Sequence, residues 1–430
     1  LNCGEPTGPA HTGTPAAADN CGGAVSVSYE DQVSGSDCPY LITRTWRGED
    51  ACGNVAYADQ RIQVGMPPLT EEVLFQSGTL GYHTYRIPAI VRTTNRTLLA
   101  FCEGRKNSRS DAGDIDIVLR RSTDGGENWG GQLLVQEEGG SASITIGNPA
   151  PVVDRITGTI HLAFCRNNDR VFMTSSDDVG VTWSPRAEIS DAVKRPAWGW
   201  YATGPVHGIQ LTRGARAGRL VIPCDHRVDG SWGSQLIVSD DHGATWTLGG
   251  VVSQLGGMHP NECVAVELVN GDIYLNMRNQ SGDERRRVIA YSQDGGDSFG
   301  APSTDPALIT PVVQASALRY SALDIGDAEN RVLFSNPATT SGRTRMTVRS
   351  SFDETETWNA GKLVHEGPSA YSDLVTLDDG RVGLLYEKGN SSPYETITFA
   401  RMTLDFLDEP PPVDADPASA YWRLDEAAPG

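Results

Sequence analysis

Apolar and polar residues alternate along much of the chain, and they seldom recur at the three-to-four-residue spacing of an amphipathic helix. Ala24-Val25-Ser26-Val27-Ser28-Tyr29 and Leu41-Ile42-Thr43-Arg44-Thr45-Trp46 show the period of two that marks half-buried strands. Elsewhere the apolar runs are short, as in Ala89-Ile90-Val91, and Gly and Pro break them up. With 47 Gly, 25 Pro and 9 Trp among 430 residues, the pattern predicts an all-β chain of many short strands joined by tight turns.

A longer period overlies the short one. The pattern S-x-D-x-G-x-[TSN]-[WF] occurs at Ser122–Trp129, Ser176–Trp183, Ser239–Trp246 and Ser292–Phe299, and again at Ser351–Trp358 with Thr355 in place of Gly. Successive copies start about 53 to 63 residues apart, the length of one four-stranded propeller blade. Some 340 residues at about 57 each predict six blades over 69–408. Each copy reads as a turn: Asp binds backbone amides, Gly supplies positive φ, and the aromatic packs under the loop. Asp124, Asp178, Asp241, Asp294 and Asp353 are therefore expected to be structural and not catalytic. The same turn, the Asp box, occurs in sialidases and in several unrelated propellers.

Two Pro-rich breaks divide the chain. Met66-Pro67-Pro68 is a short stiff hinge, and Glu409-Pro410-Pro411-Pro412-Val413-Asp414 is a second. Residues 1–65, with DNCGG, ITRTW and DACGN, resemble hyalin-repeat-like modules, which implies a small immunoglobulin-like β-sandwich acting as a spacer. Residues 409–430, ending in AYWRLDEAAPG, resemble a linker followed by the truncated start of a laminin-G-like lectin domain. The eight Cys contain no C-x-x-C pair, which excludes a zinc ribbon or a thioredoxin-like site. Cys3, Cys21, Cys38 and Cys52 crowd the N-terminus and suggest one or two disulfides, of a pairing that sequence leaves open. Cys102, Cys165, Cys224 and Cys263 are expected to be buried thiols. The chain starts at Leu1 with no Met and no signal peptide, and reads as a monomeric fragment of a longer multidomain protein, secreted or on the cell surface.

Charge narrows the partners. The net charge of −20 argues against nucleic acid, and no apolar run is long enough to span a membrane. Only four of the 35 bases are Lys, the rest being Arg, the side chain suited to forked recognition of carboxylates. An anionic substrate would need a local basic pocket, because the field of the whole chain repels it.

From about residue 71 to 407 the chain strongly resembles the sialidase family. The resemblance is carried, in order, by YRIPAI, GNPAPVVD, WYATGPVHGIQL, NECVAVEL, NMRN, SNPATTSGRTRMTVRSS and AYSDLVTL. It implies an exo-α-sialidase that removes terminal α-linked sialic acids from glycoproteins, gangliosides and sialyl-oligosaccharides, without a cofactor or metal. By this resemblance Arg86, Arg278 and Arg343 hold the substrate carboxylate, and Glu387 steadies the first of them. Tyr371 is the nucleophile and Glu262 its base. A neutral tyrosine avoids the like-charge repulsion that a carboxylate would meet at an anomeric carbon already bearing one, and sialidases are the known tyrosine exception among glycosidases. The acid lies six residues after an Arg in EGRKNSRSDAGDIDIV, which makes it Asp111 after Arg105. Arg105 is then a contact to the sugar C4 hydroxyl, and Asp114 and Asp116 belong to the next strand or its cap. Trp200 and Tyr201, beside Trp198, are candidates to pack on the N-acetyl group or leaving sugar. His207 and His259 have no metal-like spacing and receive no role. A trans-sialidase or anhydro-sugar-forming enzyme would keep the same residues. A non-catalytic glycan-binding propeller is the other alternative, one that would have no use for Asp111, Tyr371 and Glu262.

Overall fold

The computed structural model describes residues 1, 5–18, 23–34, 40–65, 67–282 and 284–409. The chain divides into two compact units that meet between Leu69 and Thr70. Met66 of the expected hinge and residues 410–430 of the expected tail lie outside the described residues.

In the first unit, strands Ser26–Ser34, Tyr40–Glu49 and Val55–Val64 form one antiparallel three-stranded sheet. The alternation in Tyr40–Glu49 buries Ile42, Arg44 and Trp46 on one face. A second sheet, which a sandwich needs, is not found among the described residues. The N-terminal segment with its one-turn helix Pro9–Thr12 lies against the sheet instead. Arg44 binds it, donating from Nη1 to Thr12 Oγ1 (2.7 Å) and from Nη2 to the Thr7 carbonyl (2.7 Å), and Gln60 Nε2 donates to the Thr12 carbonyl (2.6 Å). The Arg44 fork also takes Asp31 through Nε and Nη2 at 2.7 and 2.8 Å, so its buried charge is paired. Cys52 is an exposed free thiol, while Cys3, Cys21 and Cys38 lie outside the described residues.

The second unit is all-β apart from short helical turns. Its sheets are antiparallel meanders, such as Thr84–Arg92, Leu98–Arg105, Ile115–Ser122 and Leu133–Gln136 in order. Burial falls along this series: the first strand is almost wholly buried, and the fourth is mostly exposed. First strands therefore face the centre and fourth strands the rim. Three further sheets have four, five and four strands, and one has seven. The seven-stranded sheet turns at Lys362–Thr376, whose first half pairs with Thr344–Ser351 and second half with Val382–Lys388. Its far edge, Leu69–Gln76, lies beside Thr396–Met402, so the start of the unit is hydrogen-bonded to its end. The carboxylate of buried Asp373 ties several first strands together: it accepts from Ile90 N (2.9 Å), His207 N (3.1 Å), His207 Nδ1 (2.7 Å) and Ser316 Oγ (2.8 Å).

Each of the five S-x-D turns follows a third strand. Leu98 pairs with Ser122, and Arg105 with Ile115. The box at Ser122 thus lies at the end of its sheet opposite to Arg105. The four cysteines of this unit are buried free thiols. Among the described residues no helix is long and apolar enough to cross a membrane.

Candidate active site

Antiparallel meanders bring the starts of first strands and the ends of second strands to one end of the unit. Arg86 and Glu262 lie near the starts of Thr84–Arg92 and Pro260–Glu267, and Arg105, Arg278 and Glu387 near the ends of Leu98–Arg105, Ile273–Asn279 and Val382–Lys388. Tyr371 opens the inner half of Lys362–Thr376. Arg343 and Asp111 come from loops at the same end. All of these except Glu387, which is fully buried behind Arg86, line a cavity of about 680 Å³ with Asn148, Trp200 and Tyr394.

Arg86 is held by buried Glu387, Nε to Oε1 at 2.9 Å and Nη2 to Oε2 at 3.3 Å. A register shift after Arg86, with Ile87 at φ 60°, turns the Ile87 amide onto Glu387 Oε1 (3.0 Å). The Tyr371 amide donates to Glu387 Oε2 at 3.1 Å, so one carboxylate positions both Arg86 and Tyr371. The Arg86 guanidinium lies over the rings of Tyr371 (4.9 Å) and Tyr394 (4.4 Å). Arg343 Nη1 donates to the Tyr394 hydroxyl (2.8 Å) and Nη2 to the Val312 carbonyl (2.9 Å). No carboxylate pairs with Arg343 among the described residues. The neighbouring arginines are engaged elsewhere: Arg345 pairs with Glu366, and Arg349 lies near Asn336.

The Tyr371 hydroxyl donates to Glu262 Oε1 at 2.5 Å. Arg278 Nη1 donates to both partners, at 2.6 Å to Glu262 Oε2 and 2.9 Å to the Tyr371 oxygen. Burial raises the phenol pKa, and the Glu262 charge raises it further, against the opposing pull of Arg278, Arg343 and Arg86. The resting tyrosine therefore keeps its proton, with a carboxylate in place to receive it.

Asp111 is 74 % exposed at the cavity edge. Its Oδ1 accepts from Arg105 Nη1 (2.7 Å) and more loosely from Arg86 Nη1 (3.4 Å). Partial desolvation pushes its carboxyl up, but Arg105, Arg86 and Arg343 outweigh this and hold it below the usual range. Arg105 also lines the cavity; its Nε and Nη2 bind Glu103 Oε2 (2.9 and 2.7 Å), and Nη1 also binds the Arg109 carbonyl (2.7 Å), which ties down the Asp111 loop. Asp114 and Asp116 turn away from the cavity to Lys106, and Asp116 also takes the Tyr82 hydroxyl.

The aromatic pair separates. Trp200 and Tyr201 are consecutive in strand Trp200–Thr203, so their side chains point to opposite faces. Trp200 lines the cavity. Tyr201 is fully buried in a core with Trp198 and Cys224 and does not line it, which corrects the expectation of a substrate contact. Among the cavity residues that sequence reasoning missed are Glu103, Asn148 and Tyr394. Glu103 shares a strand face with Arg105, a legible i, i+2 signal. Asn148, whose amide binds Glu103 Oε1 (2.8 Å), and Tyr394 gave none, since folding alone brings them to the site. The Glu103 carboxylate fits because residue 147 is glycine: a Cβ there would lie 2.4 Å from Oε1. Among the described residues no cluster of three His, Cys, Asp or Glu could hold a metal ion.

Residues 96–384 match the BNR repeat-like domain family. A sialidase of Micromonospora viridifaciens is 35 % identical over 358 residues, 78 % of this chain and 55 % of that protein. An exo-alpha-sialidase of Aspergillus fumigatus is 31 % identical over 376 residues, 76 % of this chain and 86 % of that one. The chain belongs to the sialidase family of glycoside hydrolases. It spans about half the length of the bacterial relative and most of the fungal one. Among solved structures, the Hadza microbial sialidase Hz136 superposes with TM-score 0.70 at 27 % identity, covering 86 % of this chain and 77 % of the other. An intramolecular trans-sialidase of Ruminococcus gnavus shares the fold, with TM-score 0.66 at 20 % identity over 79 % of this chain and 99 % of the other. The second unit is thus a sialidase β-propeller.

Proposed function

We propose that the second unit is an exo-α-sialidase that hydrolyses terminal α-linked sialic acids with retention, through a covalent bond to Tyr371. The observation that carries this reading is the 2.5 Å contact between the Tyr371 hydroxyl and Glu262, with Arg278 bonded to both. Arg86, Arg278 and Arg343 hold the sugar carboxylate. Charged forks of this kind contribute roughly 1.5–3 kcal/mol per hydrogen bond. Tyr371 attacks the anomeric carbon as its proton passes to Glu262, because a phenol of raised pKa is a poor nucleophile without a base. The substrate carboxylate offsets the charge of Arg86 and Arg343 and so weakens their hold on Asp111 as an anion. Asp111 then takes up the proton it gives to the glycosidic oxygen, and later accepts one from water.

The same reading takes the seven-stranded sheet as two four-stranded blades joined at Lys362–Thr376, giving six blades in all. It treats the first unit as a spacer, and the protein as monomeric and extracellular.

The test is release of free sialic acid from 3′- and 6′-sialyllactose, wild type beside Tyr371→Phe. Wild type releases it, and the variant loses more than about a hundredfold, the scale of a positioned reacting group. Proton NMR of the first product shows the α anomer. An initial β anomer would exclude the tyrosyl intermediate, and a Tyr371→Phe variant of full activity would remove Tyr371 from the reaction.

A further inference from the structure

Arg109 differs from the other arginines at the cavity. Arg86, Arg105 and Arg278 each pair with an internal carboxylate, Glu387, Glu103 and Glu262. Arg343 has neutral partners and faces the place of the sugar carboxylate. Arg109 is exposed, and no carboxylate pairs with it among the described residues, in a chain of net charge −20. Its carbonyl is fixed by Arg105 Nη1 (2.7 Å), which holds the backbone of the loop in place.

Its position is also particular. A second cavity of about 280 Å³ adjoins the first, and Arg109 and Tyr394 line both. Gln76, Ser77, His83, Thr84 and Ser392 complete most of the second cavity's wall. The one carboxylate there, Glu395, is occupied by the amides of Asn390 (3.0 Å), Ser391 (2.8 Å) and Ser392 (2.9 Å). Those three amides hold the Glu395 carboxylate in its own turn, and no ion pair joins it to the Arg109 guanidinium among the described residues. The acid fixes the direction of the leaving group: Asp111 must reach the glycosidic oxygen, so the aglycone leaves the first cavity on the side of this loop, two residues from Arg109.

We infer that the second cavity is an aglycone subsite at which Arg109 receives an anionic group on the penultimate sugar. The inference rests on the hydrolase reading above and extends it to a substrate class. The anion is a carboxylate where that sugar is itself a sialic acid, as in α2,8-linked chains, or a sulfate where it is a sulfated galactose. Each offers the guanidinium fork two anionic oxygens side by side.

The experiment compares kcat/KM for three substrates: 3′-sialyllactose, α2,8-disialyllactose and 6-sulfated 3′-sialyllactose, with wild type, Arg109→Gln and Arg109→Lys. Wild type favours at least one anionic aglycone over the neutral one by about fivefold, the scale of a partly exposed charge pair. Arg109→Gln brings that ratio close to one, Arg109→Lys keeps part of it, and added salt lowers it in wild type only. Whichever anionic substrate shows the effect identifies its source. Equal ratios in wild type and Arg109→Gln overturn the subsite while leaving the hydrolase intact. No cleavage of any of the three by wild type overturns the hydrolase reading and the subsite with it.

Discussion

The two ends of the propeller use carboxylates in opposite ways. At one end each Asp box closes on itself. Asp241 accepts from Ser239 Oγ (2.8 Å), Thr245 N (2.8 Å) and Thr245 Oγ1 (2.6 Å), all within four residues. Asp124, Asp178 and Asp294 repeat the arrangement, and hydrogen bonds of this kind pull all four down to about 2. At the other end Glu387 reaches Arg86 across 301 residues, and Glu262 reaches Tyr371 across 109. The local carboxylates stay ionised but are fully hydrogen-bonded within their own turn, so they have no free acceptor to offer a partner. The long-range ones sit among cations that only the closed fold assembles. An acid that recurs with every partner inside its own turn is thus a structural part. Distant partners alone do not mark chemistry, since buried Asp373 has them and ties strands together. What sets the cavity acids apart is that they sit beside the cavity cations.

Removing one carboxylate from each end makes this contrast measurable. Asp111→Ala is expected to lower kcat/KM by about 10²–10⁴-fold on sialyllactose, where the leaving sugar needs a proton. The loss is expected to be much smaller on aryl sialosides, which leave unaided. The melting temperature is expected to stay near that of wild type, because Asp111 is open to solvent. Equal losses on both substrates would take the acid role from Asp111.

Asp241→Ala is expected to do the reverse. It removes three hydrogen bonds from an exposed turn, costs about 1–2 kcal/mol and lowers Tm by a few degrees, while kcat/KM per folded molecule is unchanged. The pH dependence carries a second check. Asp241 has a lowered pKa when folded, so its contribution is full above the ordinary carboxylate pKa of about 3.9 and fades as pH falls toward about 2. The stability gap between wild type and variant is expected to close over that window. A gap that stays constant to pH 2 would mean the carboxylate charge is not what holds the turn.

The same contrast explains what was legible in the sequence. The boxes could be read from residues alone, because Ser, Asp, Gly and Thr supply every partner within one turn. Alternation gave the strands, and box spacing gave the repeat. Residues that meet across the propeller carry no such local mark. Arg86, Glu262, Arg278, Arg343 and Tyr371 were named because their surrounding phrases resemble a family, and the structure brings all five to one cavity. Where the resemblance is loose, sequence adjacency misleads: Tyr201 follows Trp200 in the chain, but strand geometry sends neighbours to opposite faces. Tyr394, which bonds Arg343 and lies under Arg86, sits in an unremarkable SSPYE loop.

The fifth box sets the smallest effect. In the third box, Gly243 has φ +82°, and a Cβ there would lie 2.2 Å from Cε1 of His161, so only glycine fits. The fifth box has Thr355 at the matching place, with φ 74°. A β-branched residue there bears about 1–2 kcal/mol of backbone strain. Three things offset it. The Thr355 hydroxyl meets that of Tyr291 (3.2 Å). Glu354 ties the turn to the Val269 amide (2.8 Å) and to Arg319 (2.8 Å). Threonine also leaves the unfolded chain less freedom than glycine, by about 0.4–1 kcal/mol. Thr355→Gly relieves the strain but loses the hydroxyl contact and that entropy term, so unfolding free energy is expected to change by less than about 1 kcal/mol in either direction. Denaturant melts of the two proteins measure it directly. A gain well beyond that would mean the fifth turn is held in strain by its neighbours, and a loss well beyond it would mean that Thr355 contributes more than glycine does in the other four boxes.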